Sequence, residues 1–324
     1  MKIKFILWLI LALSLGCSSS KNIKFNTQQI NADDIIDALN NNQPIFLNNK
    51  NIVGVLDFTK LKNQYYQQKN IAKVIVNQPV SFINCTFNDS VKAYATNSKN
   101  NEFTCSFNIN LCMEGCTFKK PVIFRRSAIH GNATFTGSKF EEEAFFEGID
   151  FYGYTLFNET NFSKPVMFNE CKFNDYANFF KVFFKETASF QNCVFNDVFK
   201  PANGNFYGYT DFSGCKFFGF TDFAYTTFYK QAIFANQIYM FPVKFTGVVF
   251  NFSVEFKDII FMNNTNFSNI SFNDKTLFSN ILFALDKPDF SESSTPVKSA
   301  VIFENIRLLQ TENISKSINI NSKN

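Results

Sequence analysis

VMFNECKFNDYANFFKVFFKETASF, residues 166–190, places Phe at 168, 173, 179, 184 and 190, so the spacing alternates five, six, five, six. The pattern runs outward in both directions. One series steps by 11 from Met113 through Phe124, Phe135, Phe146, Phe157, Phe168, Phe179, Phe190, Pro201 and Phe212 to Phe278. A second steps by 11 from Phe107 through Phe118, Ile129, Phe140, Phe151, Phe162, Phe173, Phe184, Phe195 and Phe206 to Phe283. Of the 33 positions in the two series, 29 are Phe; the others are Met113, Ile129, Pro201 and Tyr239. The chain holds 46 Phe against 11 Tyr and 1 Trp. Phe is costly in water and productive when buried, so this excess implies a long, uniform, repetitively lined core.

An 11-residue period also fits a right-handed coiled coil. On a helix, however, the two series would lie about 140° apart, which is no seam. Short strands joined by turns explain more. Two residues before each Phe stands a small or β-branched residue, such as Ala133, Ala144, Val166, Ala177, Ala188, Cys171, Cys193, Val243, Ile259 or Ile270. In a strand these share the inward face with the Phe. Two residues after it stands nearly every Gly of the region: Gly115, Gly131, Gly137, Gly148, Gly153, Gly208, Gly214, Gly219 and Gly247, with Gly204 the exception. Gly there marks a corner. The extra residue of the six-residue spacing is Pro at 121, 165 and 242, a residue excluded from paired strands.

Units such as Ala177-Asn178-Phe179 followed by Thr187-Ala188-Ser189-Phe190 resemble the pentapeptide-repeat family, in its variant of alternating five- and six-residue units with Phe at the centre. The resemblance implies an all-β, right-handed quadrilateral β-helix with four short faces per coil of about 22 residues. Two columns of side chains support that length. Cys171, Cys193 and Cys215 recur at 22, and Lys120, Glu142, Lys164 and Glu186 alternate in sign at the same step. Eight coils over 107–283 make a rod roughly 40 Å long. Upstream, Pro44-Ile45-Phe46-Leu47, Ile52, Gly54, Phe58, Pro79-Val80-Ser81-Phe82 and Phe87 fit the same template. Two insertions, Lys60–Lys73 with Tyr65 and Tyr66, and roughly Ala93–Glu102, read as loops projecting from the rod.

At the start, Lys2 and Lys4 precede an apolar run from Phe5 to Leu13, then Ser14, Leu15, Gly16 and Cys17. This reads as a signal peptide, too short to span a bilayer. The small residues before a Cys resemble the lipobox of bacterial lipoproteins, with Leu15 where that family prefers a smaller residue. The resemblance implies cleavage after Gly16 and acylation of Cys17, and Ser18-Ser19-Ser20 suits a tether. The expectation is an exported, membrane-anchored bacterial lipoprotein, periplasmic or at the cell surface, held to the membrane by its N-terminal lipid. Formal net charge is +4 with both signs interspersed, which points to no nucleic-acid partner.

Asn31 as N-cap, Asp33 and Asp34 in the first turn, and Ile30 with Ile35 as a staple predict a helix that plugs the open end of the β-helix. Residues 300–309 are apolar enough to add a strand or cap, and the Asn/Ser/Lys-rich remainder reads as disordered. The organisation is thus a signal peptide over 1–16, a lipidated tether over 17–26, a capping helix over 27–43, a β-helix over 44–290 with loop insertions near 60–73 and 93–102, and a cap and tail over 291–324.

No catalytic set emerges. Without Cys17, seven cysteines remain, an odd number; core positions favour free thiols, and one His in the chain argues against structural zinc around Cys105, Cys112 and Cys116. No other cofactor is implied. His130 falls at an outward position. Glu141, Glu142 and Glu143, near Arg125, Arg126 and Glu147 in sequence, read as a solvated charged corner rather than a glycosidase pair. Outward aromatics are the better lead: Tyr154, Tyr176 and Phe220 step by 22, with Tyr152, Tyr207, Tyr209, Phe218 and Tyr229 at turn positions. The favoured function is a non-enzymatic scaffold or binding surface for an envelope protein or glycan. A polysaccharide-acting β-helix enzyme is the alternative. A DNA-mimicking topoisomerase protector, known among pentapeptide-repeat proteins, is remote for a chain of this charge and address.

Overall fold

Each small-x-Phe unit forms a strand of about two residues, and four such strands close one coil. Lys139–Phe140, Ala144–Phe145, Asp150–Phe151 and Thr155–Leu156 make the first to fourth faces. Asn161–Phe162 then returns to the first face and pairs in parallel with Lys139–Phe140, 22 residues earlier. The computed structural model, which describes residues 25–295, 301–309 and 321–322, is an all-β right-handed solenoid of about 12 turns with one short helix near its N-terminus. The signal peptide, Cys17 and most of the tail lie outside the described residues. The first face stacks 13 strands. Their spacing of about 4.8 Å gives a rod of about 58 Å, longer than the eight regular coils alone.

The five/six alternation is an alternation of two kinds of corner. At the tight corner Phe168-Asn169-Glu170-Cys171, the Cys171 N–H donates to the Phe168 carbonyl at 3.2 Å and Glu170 has φ of 60°, the geometry of a type II turn. Arg126, Lys181, Asn192 and Asn203 hold the same left-handed position. Glycines therefore serve two purposes. Gly148 takes the left-handed position at a tight corner, with φ of +67°. Gly208 lies at a wide, six-residue corner with no such φ; a Cβ there would stand 2.1 Å from the Glu186 carbonyl carbon of the coil beneath.

Inside, the Phe rings stack along each face and meet edge-on between faces. Phe168 stacks on Phe146 and Phe190, each at 5.0 Å, and presents edges to Phe157 and Phe179 at 5.2 and 5.4 Å. Where Pro201 replaces Phe, Phe199 supplies the ring from the neighbouring inward position, 5.6 Å from Phe179 and 5.8 Å from Phe223. Where Tyr239 replaces Phe, its buried hydroxyl donates to Gln237 Oε1 at 3.0 Å, and Gln237 Nε2 donates to the Phe212 carbonyl at 2.8 Å.

The two insertions are ordered hairpins, not irregular loops. Gln64–Gln68 pairs antiparallel with Ile71–Val76, and Tyr94–Thr96 with Glu102–Phe107. Ile71–Val76 and Glu102–Phe107 then pair in parallel, so both hairpins join one four-stranded wing that continues the third face. Register across the insertions confirms their size. Ile45 pairs with Val80, 35 residues on, and Val80 with Leu111, 31 on, which is 13 and 9 beyond the coil length of 22.

The ends also differ from the expected boundaries. The helix covers Ala32–Asn40, with the Asn31 side chain accepting from the Asp33 N–H at 3.0 Å. Gln29–Asn31 before it is already a strand, paired with Asn51–Val53. Ile30, Ile35, Ile36 and Leu39 are buried and close the core. At the other end the solenoid passes residue 290. Ser294 pairs with Ser271, and Val301–Leu308 lies along Thr276–Phe283.

Phe168→Ala is expected to lower stability by about 3–5 kcal/mol, because the ring's stacking column and edge partners are lost around a cavity. Gly208→Ala should also destabilise, through backbone overlap with Glu186. Denaturant unfolding followed by circular dichroism checks both.

Candidate interaction surface

Large outward side chains collect at the wide corners, and there are two of these per coil. One follows the third face and the other follows the first, so two faces separate them and they lie on opposite edges of the rod. The eight aromatic residues expected to form one contact surface are therefore divided. Tyr152, Tyr154, Tyr176, Phe218 and Phe220 follow third-face strands, whereas Tyr207, Tyr209 and Tyr229 follow first-face strands. The splitting is a consequence of coil length: an 11-residue step moves a side chain to the opposite face, and only a 22-residue step keeps it in one column.

On the first of these edges His130 is exposed and stacks on Tyr152 at 4.5 Å, and Tyr154 meets Tyr176 edge-on at 6.5 Å. Farther along, the Lys244 ammonium lies 5.5 Å over the Phe220 ring. The column beginning at Phe218 continues with Met240 and Met262, flanked by Phe241 and Leu285, all exposed. The sequence reading followed aromatic residues and so missed these four, although steps of 22 from Phe218 lead directly to two of them.

On the opposite edge Tyr207 and Tyr229 stack at 4.3 Å. Tyr209 donates to Asp211 Oδ2 at 3.2 Å, and Gln191 Nε2 donates to the same oxygen at 2.5 Å. Burial, then the adjacent Asp211 charge and its hydrogen bond, push the Tyr209 phenol up to about 12. Upstream on this edge are the charged corner residues. Lys139 pairs with Glu141 at 2.6 Å and holds its carboxyl below the usual range, and Lys164 pairs with Glu186 at 2.9 Å.

Arg125, Arg126 and Glu147 do not join the Glu141–Glu143 run. They lie across the second face, at a tight corner beneath the hairpin wing. There they line an open groove of about 850 Å³ with Tyr94, Asp150 and Lys172. Its charges are mostly committed to one another: Arg125 to Glu147 at 3.0 Å, Arg126 to Glu102, and Lys172 to Asp150 at 3.8 Å. The carboxylates considered for glycoside hydrolysis therefore do not converge on one cleft.

The cysteines are free thiols. Cys171, Cys193 and Cys215 are buried and donate to the carbonyls of Phe146, Phe168 and Phe190 at 2.9, 2.9 and 3.0 Å. Burial raises the thiols of Cys171 and Cys193 well above their ordinary range. Cys112 is only half-buried. Among the described residues no group of three or more His, Cys, Asp or Glu is arranged to hold a metal, and no helix is long and apolar enough to cross a membrane.

Coil length, corner geometry and the Phe column together define a quadrilateral β-solenoid. Comparison with known proteins agrees: residues 114–161 match the family model described as Pentapeptide repeats (9 copies). The chain carries pentapeptide repeats, and its fold is the pentapeptide-repeat solenoid. Among solved structures it is similar to HetL, a pentapeptide repeat protein involved in heterocyst differentiation regulation from the cyanobacterium Nostoc. That likeness has 13% identity, covers 62% of this chain and 83% of HetL, and has a TM-score of 0.26. No curated protein matches.

Two measurements check this description. In a chain carrying Cys17→Ser, a soluble thiol reagent should titrate one native thiol, Cys112, and the other six only on unfolding. In an absorbance titration, Tyr209 should ionise near pH 12, and Asp211→Asn should bring it part-way back toward 10, since burial remains. Because the folded value is raised, the stability it contributes is complete below pH 10 and is lost as pH rises through 12.

Proposed function

We propose that this protein is a non-enzymatic, lipid-anchored rod of the bacterial envelope whose exposed aromatic edges serve as binding surfaces for a protein or glycan partner. The observation that carries the reading is the pairing of a rigid repeat scaffold with large side chains held outward at only two of its four corners. Tyr207 and Tyr229 are exposed, parallel and 4.3 Å apart. Such a pair presents a flat face with hydroxyls at its rim, which suits stacking on a sugar ring or an apolar partner residue. Pentapeptide-repeat proteins are generally structural or binding proteins, which agrees with a non-enzymatic role. The charges in the open groove are largely internally paired, which leaves no group poised for acid–base work.

The anchor rests on Lys2, Lys4, the apolar run and Cys17. Its purpose in this reading is to hold the rod at a membrane, where a surface of modest affinity gains from effective concentration.

Cells fed an alkyne-bearing fatty acid should label the native chain and not the Cys17→Ser chain. Crosslinking in native membranes, together with a glycan array, should identify a ligand whose capture is lost in Tyr207→Ser/Tyr229→Ser. Absence of lipid label would overturn the anchor, and cleavage of a polysaccharide by the purified chain would overturn the non-enzymatic reading.

A further inference from the structure

The edge that follows the third face changes character along its length. Toward the N-terminal end it carries His130, Tyr152, Tyr154 and Tyr176; toward the other end it carries Phe218, Phe220, Met240, Phe241, Met262 and Leu285. Phe218, Met240, Phe241, Met262 and Leu285 are 40, 39, 53, 39 and 42% exposed. At about 200 Å² per side chain, these five alone leave about 400 Å² of apolar surface in water, comparable to the largest patch on an ordinary monomer. Beside them on the third face, Ile238, Ile260 and Leu282 stack outward in register and are partly exposed.

The charge around this edge selects its occupant. Outward positions of the third face hold Lys172, Lys216 and Arg307, and those of the fourth face hold Lys200 and Lys244. Asp150, Asp222 and Asp289 are the anions of the same columns, with Asp150 paired to Lys172. Asp258, across the tight corner from the third face, accepts from Asn280 at 2.8 Å. Asp286 beside Leu285 is exposed. Cations prevail in the flanking columns, five to three. The outward column Ile238–Ile260–Leu282 is bounded by Lys216 at one end and Arg307 at the other.

A second copy fits this pattern poorly. A two-fold axis through the patch would set the Lys216 end of one rod on the Arg307 end of the other, like charge on like. The five most exposed side chains also offer about half of the roughly 800 Å² per partner that a stable interface buries. A lipid surface fits it well. Phe, Met, Leu and Ile enter the acyl boundary, Lys and Arg meet headgroup phosphates, and Tyr sits at headgroup depth.

We propose that this edge is a peripheral membrane-binding surface for anionic bilayers, along which the rod lies flat. The inference rests on the membrane placement proposed above, yet its contacts do not involve the lipid anchor. Lying flat, the rod turns the Tyr207–Tyr229 edge away from the bilayer, toward a partner.

The test uses the chain from residue 17 onward with Cys17→Ser, which keeps every described residue and has neither signal peptide nor acyl group. In flotation assays it should rise with vesicles of phosphatidylcholine and phosphatidylglycerol, less with phosphatidylcholine alone, and less at high salt. Met240→Asp/Phe241→Asp should lower vesicle binding about tenfold or more while circular dichroism and the thermal transition persist, because both side chains are outward. Tyr207→Ser/Tyr229→Ser should float like the parent. Failure to float, or undiminished flotation of the Asp variant, overturns the proposal. So does a dimer seen by light scattering that the Asp variant abolishes while vesicles are ignored, which would make the edge an interface between copies. Failure of the anchor reads separately, as absent fatty-acid label on the native chain.

Discussion

Four aromatic rings fill the cross-section of each regular coil, and 22 residues of backbone wrap them. Ring stacking and strand spacing are commensurate. Along the second face, successive centroids from Phe146 to Phe278 lie 4.6–5.4 Å apart, close to the spacing of about 4.8 Å that parallel hydrogen bonds impose. A ring placed at one coil is thus already in contact distance of the next, so each added coil repeats the same contacts. The small residue two positions before each Phe follows from the same restriction, because the second inward position of the face has little volume left. Pro201 and Phe199 show the rule from the other side. When the ring is lost from its usual position, it is recovered from the position that is otherwise small.

The backbone polar groups at the corners are the second constraint, and they account for the polar residues in this core. Inward Ser138, Thr160 and Thr226 donate to carbonyls of the preceding coil at 2.7, 2.8 and 3.1 Å. Cys171, Cys193 and Cys215 occupy the equivalent inward position on the third face and do the same through sulfur. A thiol is small enough for the site, apolar enough for the core and still a weak donor. Gln237 and Tyr239 extend the idea to a larger pair, each polar atom meeting the other or the Phe212 carbonyl. An unsatisfied group at any of these places would be expensive in such a dry interior.

The coil was legible from sequence because its determinants are periodic: one residue type, one spacing and one class of small partner. The hairpins were not, since they occur once and break the register by which everything else is read. Ile71–Val76 alternates buried and partly exposed residues as a strand should, but its partner Gln64–Gln68 is exposed throughout and carries no apolar pattern. Gln29–Asn31 escaped notice because three residues beside a helix cap have no period at all. The interaction surface was half legible. Individual outward residues follow from the repeat, but their grouping depends on parity: 11 residues cross the rod and 22 return. Tyr207 and Phe218, 11 apart, are neighbours in sequence terms and stand on opposite edges.

That parity also explains why the outward side chains are unequal around the rod. The tight corners require a left-handed residue, and Asn, Asp, Glu, Lys, Arg or Gly fills most of these positions. Bulky apolar residues are disfavoured there; Tyr225 is an exception. The wide corners have one more residue and ordinary backbone angles, so they accept Tyr, Phe and Met facing outward. A pentapeptide solenoid of this type therefore offers two edges free to vary, on opposite sides, between two edges held by turn geometry. In this chain the free edges have diverged. One is tyrosine-rich beside alternating charges, and the other grades from tyrosine into Phe, Met and Leu between cationic columns. Divergence of two edges that share one core and one corner geometry cannot arise from packing, because packing is the same behind both. It arises from what each edge faces.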